Sequence, residues 1–147
     1  MKRSSTGVTL LELMIVLVLM ALVAAVTIPL FGDGVSTTQL RGAARELAAG
    51  LRLARGQAIG QRGEATLQLD VAGRSFTVPP DPRVHALPAG IELKLFTAQR
   101  DLVSDSVGAI RFYPDGGSNG GRVTLAAGER KYDVDVDWLT GRVAILE

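Results

Sequence analysis

The 147-residue sequence contains no cysteine and a single histidine, His85. These absences exclude disulfide bonds, cysteine-ligated metal sites and zinc sites built from several histidines. The formal net charge is only +1, so no overall field favours nucleic acid. The pattern places no nucleophile beside a base. We therefore expect a protein that is not an enzyme, with no catalytic residues, no metal and no cofactor.

A long apolar run near the N-terminus is the main feature that is present. Residues 13–26 include no polar side chain, and the stretch from Val8 to Phe31 has the length of a bilayer-spanning helix. Lys2 and Arg3 precede the run, and no similar basic cluster follows directly, which predicts a cytoplasmic N-terminus. A secretory signal cut near residues 23–25 and a plain signal anchor remain alternatives.

Glu12 lies inside this apolar run, where a lone carboxylate costs about 2.5–3.5 kcal/mol. On a helix it would lie one turn from Val8, on the same face. If the chain were cut after Gly7, the new α-amine of Val8 could neutralise Glu12 of its own chain or of a neighbour. Pairing within one chain is the simpler alternative, whereas pairing between chains would fix the register of a helical assembly.

Gly7, followed by Val-Thr-Leu-Leu-Glu and a long apolar run, resembles the class III signal of type IV pilins and type II secretion pseudopilins. The resemblance implies that a prepilin peptidase cleaves between Gly7 and Val8 and that Val8 is then N-methylated. It also implies that Glu12 guides subunit docking and that Pro29 occupies the place of a helix-kinking proline. Val8 replaces the phenylalanine or other bulky residue that is more usual after the glycine.

The segment from Ser36 to Arg62 predicts an amphipathic helix, because apolar residues recur at steps of three and four. Ser36 or Thr37 could cap its start, and Gly60 and Gly63 are expected to end it. The apolar positions of this pattern are Leu40, Ala44, Leu47, Leu51, Ala54 and Ala58.

From Glu64 onward the sequence changes to the two-residue alternation that is typical of strands. Pro79–Pro82 is expected to open a loop that reaches about Gly90 and carries His85 as a surface residue. A helix followed by strands predicts an α+β fold with a small antiparallel sheet or sandwich. The predicted strands are residues 65–69, 75–78, 91–96, 110–113, 122–125, 130–138 and 142–146.

Two polar segments could carry a site. Pro114–Gly121 is rich in glycine and could offer calcium the oxygens of Asp115, Ser118 and Asn119, but it lacks EF-hand spacing, so a structural turn is favoured. Whether the loop Asp115–Gly121 binds an ion stays open.

The second segment is the predicted strand 130–138, where Asp133, Asp135 and Asp137 alternate with apolar residues. The three carboxylates would share one face, with neighbours about 6–7 Å apart, which is too wide for all three to hold one ion. A solvated face is favoured, and an acidic stripe for a partner is the alternative.

Residues 110–121 resemble the signature of the GspH/FimT pseudopilins, and residues 43–59 and 138–143 resemble that subgroup's helix and last hairpin. The resemblance implies a minor pseudopilin of a type II secretion system. Such a subunit would join the periplasmic pseudopilus near its tip and help to drive folded proteins across the outer membrane. Its implied partners are other minor pseudopilins, the major pseudopilin, the prepilin peptidase and the inner membrane.

This interpretation makes the chain a single-pass protein of the bacterial inner membrane, with its N-terminus in the cytoplasm and its head in the periplasm. The two half-helices would form one long helix, bent near residues 29–34. The alternative is a FimT-like minor type IV pilin that binds DNA in pilus assembly or natural transformation, but residues 142–147 supply no basic tail. The predicted segments are a cleaved leader at 1–7, a transmembrane half-helix at 8–31, an amphipathic periplasmic half-helix at 32–62 and a β-rich periplasmic head at 63–147.

Overall fold

The computed structural model describes residues 8–30, 34–97 and 106–147, with the backbone alone for residues 24–30. The chain divides into two compact units, Met1–Gly34 and Val35–Glu147. The first contains helix α1 (Leu10–Leu30), and the second begins with helix α2 (Thr37–Gln61). No helix within the described ranges combines the length and the hydropathy that crossing a membrane requires. The predicted bend near residues 29–34 includes residues 31–33, which lie outside the described ranges.

Helix α2 has a defined cap at each end. The Ser36 hydroxyl accepts the backbone N–H of Gln39 at 3.2 Å, and the Gln39 side chain accepts the backbone N–H of Ser36 at 2.9 Å. This reciprocal pair is a capping box and confirms Ser36 as the cap. At the other end Arg62 takes the left-handed conformation, with φ 52°, that glycine usually supplies. The N–H of Gly63 then donates to the carbonyl of Ala58 at 3.2 Å.

The apolar stripe of α2 is the buried face of the helix, as the spacing predicts. Its small alanines allow the helix to lie close to the strands, and its leucines fill the remaining space. Each buried leucine contributes about 1.5–3 kcal/mol. The helix contacts strands of both sheets, so one hydrophobic core serves the whole unit. The buried helix residues are Leu40, Ala43, Ala44, Leu47, Ala48, Gly50, Leu51, Ala54 and Ala58.

The described strands form two four-stranded antiparallel sheets, with the orders β3-β2-β1-β5 and β4-β6-β7-β8. This architecture confirms the α+β prediction. The strands are β1 (Ala65–Asp70), β2 (Ser75–Val78), β3 (Asp81–Ala86), β4 (Glu92–Phe96), β5 (Val107–Phe112), β6 (Gly121–Ala127), β7 (Arg130–Val136) and β8 (Val143–Leu146).

The prediction of a loop from Pro79 to Gly90 was wrong, because residues 81–86 form the edge strand β3. Proline excludes a central strand, but an edge strand has one unpaired side on which Pro82 is tolerated. His85 lies opposite Phe76 of β2, and the two rings stack at 4.7 Å between centroids with an interplanar angle of 7°.

The His85 Nδ1 also lies 3.1 Å from a carboxylate oxygen of Glu46 on α2. Ring stacking and this polar contact leave the His85 side chain 32% exposed. The single histidine therefore stays at the surface, as predicted, but as a packed residue of a strand that helps to join β3 to the helix.

Candidate functional site

The N-terminal candidate site is described from Val8 onward, since Gly7 lies outside the described residues. Thr9 caps α1: its hydroxyl accepts the N–H of Glu12 at 3.2 Å, and its carbonyl accepts the N–H of Leu13 at 3.1 Å. Val8 therefore precedes the helix. The expectation that Val8 and Glu12 share a helical face was wrong, because the helix begins at Leu10, after the Thr9 cap.

Glu12 is the third residue of α1 and the acidic residue of its first turn. A carboxylate is stabilised there, because the free N–H groups of the first turn form the positive end of the helix dipole. The spacing from Thr9 to Glu12 is also that of a capping box. The Glu12 side chain is exposed, and its neighbour Val8 is 71% exposed. The helix start thus holds an accessible carboxylate at the edge of an apolar segment.

The rest of α1 presents apolar side chains in every direction. Each side chain from Val8 to Val23 is exposed, including Leu10 at 78% and Leu22 at 63%. A helix that is apolar all round normally requires other apolar groups to cover it. Pro29 is the penultimate residue of α1, and a proline at this place removes the N–H that would donate to the carbonyl four residues earlier, which favours an end of the helix there.

The glycine-rich segment after β5 uses its polar side chains to hold its own backbone. The Asp115 carboxylate accepts the N–H of Gly117 at 2.9 Å, and the Ser118 hydroxyl accepts the N–H of Gly120 at 2.8 Å. The side-chain oxygen of Asn119 accepts the N–H of Arg111 at 2.9 Å. The three oxygens considered as calcium donors are thus each engaged in a hydrogen bond that favours a structural turn.

Arg55 of α2 joins this segment to the turn after β7. Its Nε donates to the carbonyl oxygens of Gly116 at 3.0 Å and Thr140 at 3.2 Å, and its Nη2 donates to Thr140 at 3.0 Å. No motif in the sequence predicts this role of Arg55. Its one available signal was its place beside Ala54, at the border of the apolar stripe of α2.

The predicted aspartate face of β7 is only partly formed. Asp133 accepts the hydroxyl of Thr124 at 2.6 Å, and Asp135 pairs with Arg122 at 3.0 Å. Asp137 follows the strand, which ends at Val136, and serves the next turn instead. Asp133 and Asp135 are therefore partly exposed carboxylates with partners on the neighbouring strand, whereas Asp137 stabilises the turn after β7.

The backbone N–H and the hydroxyl of Thr140 donate to Asp137 at 2.7 and 2.8 Å, and the N–H of Leu139 donates at 3.1 Å. These hydrogen bonds from Thr140 are the main cause that lowers the pKa of Asp137 below its ordinary 3.8, and the nearby charge of Arg142 adds to it. Within the described residues, no group of three or more acidic or histidine side chains could hold a metal ion.

Two family models match the chain. Residues 43–140 match the type II transport protein GspH, and residues 2–28 match the prokaryotic N-terminal methylation motif. The type II secretion system protein H of Xanthomonas campestris pv. campestris is 35% identical over 143 residues, which cover 97% of this chain and 83% of that relative.

Solved structures share the fold. The minor pseudopilin EpsH of Vibrio cholerae superposes with a TM-score of 0.57 at 14% identity, over 78% of this chain and 97% of EpsH. The type IV minor pilin FimU of Pseudomonas aeruginosa gives a TM-score of 0.59 at 18% identity, over 75% of this chain and 90% of FimU. With one family model covering most of the sequence and a close relative along nearly all of it, the chain belongs to the GspH family of type II transport proteins.

Proposed function

We propose that this chain is a minor pseudopilin built into the periplasmic pseudopilus of a type II secretion system, near its tip, where it supports export of folded proteins across the outer membrane. A prepilin peptidase would cleave between Gly7 and Val8, after which Val8 is N-methylated. The segment from Val8 to Phe31 would hold the subunit in the inner membrane before assembly, with the head in the periplasm.

The observation that carries the proposal is the exposed carboxylate of Glu12 at the start of a helix whose described side chains are apolar and exposed. Apolar side chains of this kind gain free energy when a bilayer or neighbouring helices cover them. A carboxylate in the same surroundings needs a cation. The amine of a processed chain is the cation that such a filament would supply.

Docking then follows from electrostatics. As the subunit leaves the bilayer, Glu12 would pair with the α-amine of a neighbouring chain, and the pair would neutralise two charges that are costly in apolar surroundings. Because Thr9 places Val8 outside the helix, that amine would extend from the helix start. The N-terminus of one chain could therefore reach the first helical turn of another.

Three arginines of the head are already paired with acids, which reduces the positive charge available for the DNA-binding alternative. Arg41 pairs with Glu147 at 2.7 Å, Arg111 with Glu64 at 2.6 Å, and Arg122 with Asp135 at 3.0 Å. A DNA-binding surface instead needs clustered cations that are free to neutralise several phosphates.

Replacement of Glu12 tests the docking step. We expect Glu12→Ala and the isosteric Glu12→Gln to stop incorporation into the pseudopilus and to lower export, while the membrane level of the protein is retained. Glu129→Ala is the matched control, since Glu129 is an exposed acid in the turn between β6 and β7. Normal incorporation and export by both Glu12 variants would contradict the proposed function.

Mass spectrometry of the N-terminus tests the processing step. We expect a mature chain that begins with methylated Val8. An intact leader, or a chain that begins at Val26, would contradict processing of the pilin type.

A further inference from the structure

We propose that a basic pocket beside the β7–β8 turn receives a carboxylate side chain of a neighbouring pseudopilus subunit. The pocket has a volume of about 560 Å³ and lies where α2 passes the turn. Arg52, Arg55 and Arg142 line it, and Asp137 is the one acid among its described lining residues. The inference rests on the proposed function, because it names what the head contacts in the filament.

The three arginines of the pocket differ from the paired arginines of the head in their contacts. Within the described part of the chain, no carboxylate forms an ion pair with any of the three guanidinium groups. Arg52 and Arg55 donate instead to neutral main-chain carbonyl oxygens, Arg52 to Val143 at 3.3 Å and Arg55 to Gly116 and Thr140. These bonds orient the groups but leave their charge uncompensated.

The guanidinium groups also retain donors. A guanidinium carries five N–H donors, and the hydrogen bonds described use one nitrogen of Arg52 and two of Arg55. Since their main-chain contacts already fix these side chains, a ligand would lose little side-chain entropy in ordering them. The pocket is therefore preorganised for an anion.

Asp137 offsets only part of the positive charge of the three arginines, although the charge of Arg142 does act on it. One of its carboxylate oxygens accepts all three hydrogen bonds from Leu139 and Thr140, which commits the side chain to the turn. The N–H of Gly141 also donates to the carbonyl of Asp137 at 2.8 Å, which closes the same turn. With three cations and a single anion, the pocket keeps a net positive charge.

A single carboxylate fits this pocket better than a nucleic acid does. Planar guanidinium groups bind a carboxylate through paired hydrogen bonds. Nucleic acid requires positive charge along an extended path. Three other arginines of the head, Arg41, Arg111 and Arg122, are already paired with acids.

Photo-cross-linking of the full-length chain, in cells that assemble the secretion system, tests the pocket. A benzophenone amino acid in place of Leu139 would report on neighbours, because Leu139 is 66% exposed and directly precedes Thr140, which lines the pocket. We expect a cross-link to another pseudopilin at a segment that contains Asp or Glu. Arg142→Glu should lower its yield about tenfold, and replacing the mapped acid with arginine should restore the yield in that variant.

Control variants show whether a loss of cross-linking is due to the pocket, to unfolding of the head or to the change in net charge. Arg52→Glu, which changes an exposed residue of α2, should reproduce the loss of cross-linking. Arg83→Glu, on the edge strand β3, makes the same change of charge outside the pocket and should keep the original yield. Resistance of each variant to protease, equal to that of the unchanged chain, verifies that the head is folded.

Three results would overturn the proposal: unchanged cross-linking in both pocket variants, a cross-linked segment without an acidic residue, or a nuclease-sensitive cross-link to nucleic acid. If Glu12→Ala blocks incorporation while Arg142→Glu and Arg52→Glu leave cross-linking unchanged, only the pocket proposal fails. If the Glu12→Ala variant is incorporated into the filament normally, the proposed docking mechanism fails.

Discussion

A Cβ atom on Gly50 of α2 would lie 2.6 Å from Cε2 of Phe76 on β2. The helix and the first sheet therefore approach each other at a point where no side chain fits. Phe76 is a fully buried aromatic of the core, and its ring also stacks on that of His85. Gly50 thus helps to set the distance between α2 and the edge of this sheet.

We expect Gly50→Ala to destabilise the head by up to about 2 kcal/mol, because overpacking costs about 1–3 kcal/mol and the gain in helix propensity returns only about 1 kcal/mol. Gly56→Ala is the matched control, since a Cβ there meets no atom within 4 Å. It should stabilise the head by about 0.5–1 kcal/mol. Thermal unfolding of the full-length protein in detergent measures both, and equal stability of the two variants would contradict the close approach.

Arg55 should stabilise two loops at once. We expect Arg55→Ala to lower the unfolding free energy by about 2 kcal/mol, because the charged donors to Gly116 and Thr140 are lost. Hydrogen exchange should quicken in residues 113–120 and 138–142. Arg55→Lys keeps the positive charge but lacks the planar guanidinium group with its several donors, so the Lys variant should lose less unfolding free energy than the Ala variant but remain below the unchanged chain. Arg45→Ala, at an exposed position of α2, should change neither loop.

Arg62 occupies a backbone conformation that suits glycine. We expect Arg62→Gly to stabilise the head by about 1 kcal/mol, because its φ of 52° strains a residue with a Cβ. Arg45→Gly, inside the same helix, should have the opposite effect and cost about 1 kcal/mol. Urea unfolding measures the pair, and a destabilising Arg62→Gly would show that the arginine side chain matters more than its backbone.

Asp137 should make stability depend on pH in the acid range. Its folded-state pKa is lowered from 3.8, so its contribution is present above that pH and is lost as the pH falls through the folded-state value. The melting temperature of the unchanged chain should therefore exceed that of Asp137→Asn near neutral pH, and the difference should shrink below about pH 4. Glu129→Gln serves as the control for removing one charge.

Local chemistry explains what could be predicted along the chain. The spacing of Leu40, Leu47 and Leu51 predicted the buried face of α2, and Ser36 predicted its cap. Short-range features such as caps and apolar periodicity depend on neighbouring residues alone. The prediction for residues 79–90 was wrong because proline is excluded from central strands only, and the sequence does not state which strand is at an edge.

The sequence alone determined the family, the N-terminal motif with Glu12, the helix-then-strands order and the absence of disulfides, because each depends on residue identity or on contacts along the chain. Tertiary structure alone decided that β3 is an edge strand, that His85 stacks on Phe76, and that Arg52, Arg55 and Arg142 share one pocket. Arg52 and Arg142 lie 90 positions apart, and the packing of α2 against the sheets brings them together. The pairing of β2 with β3 places His85 opposite Phe76. Their proximity arises from long-range contacts that no local pattern encodes.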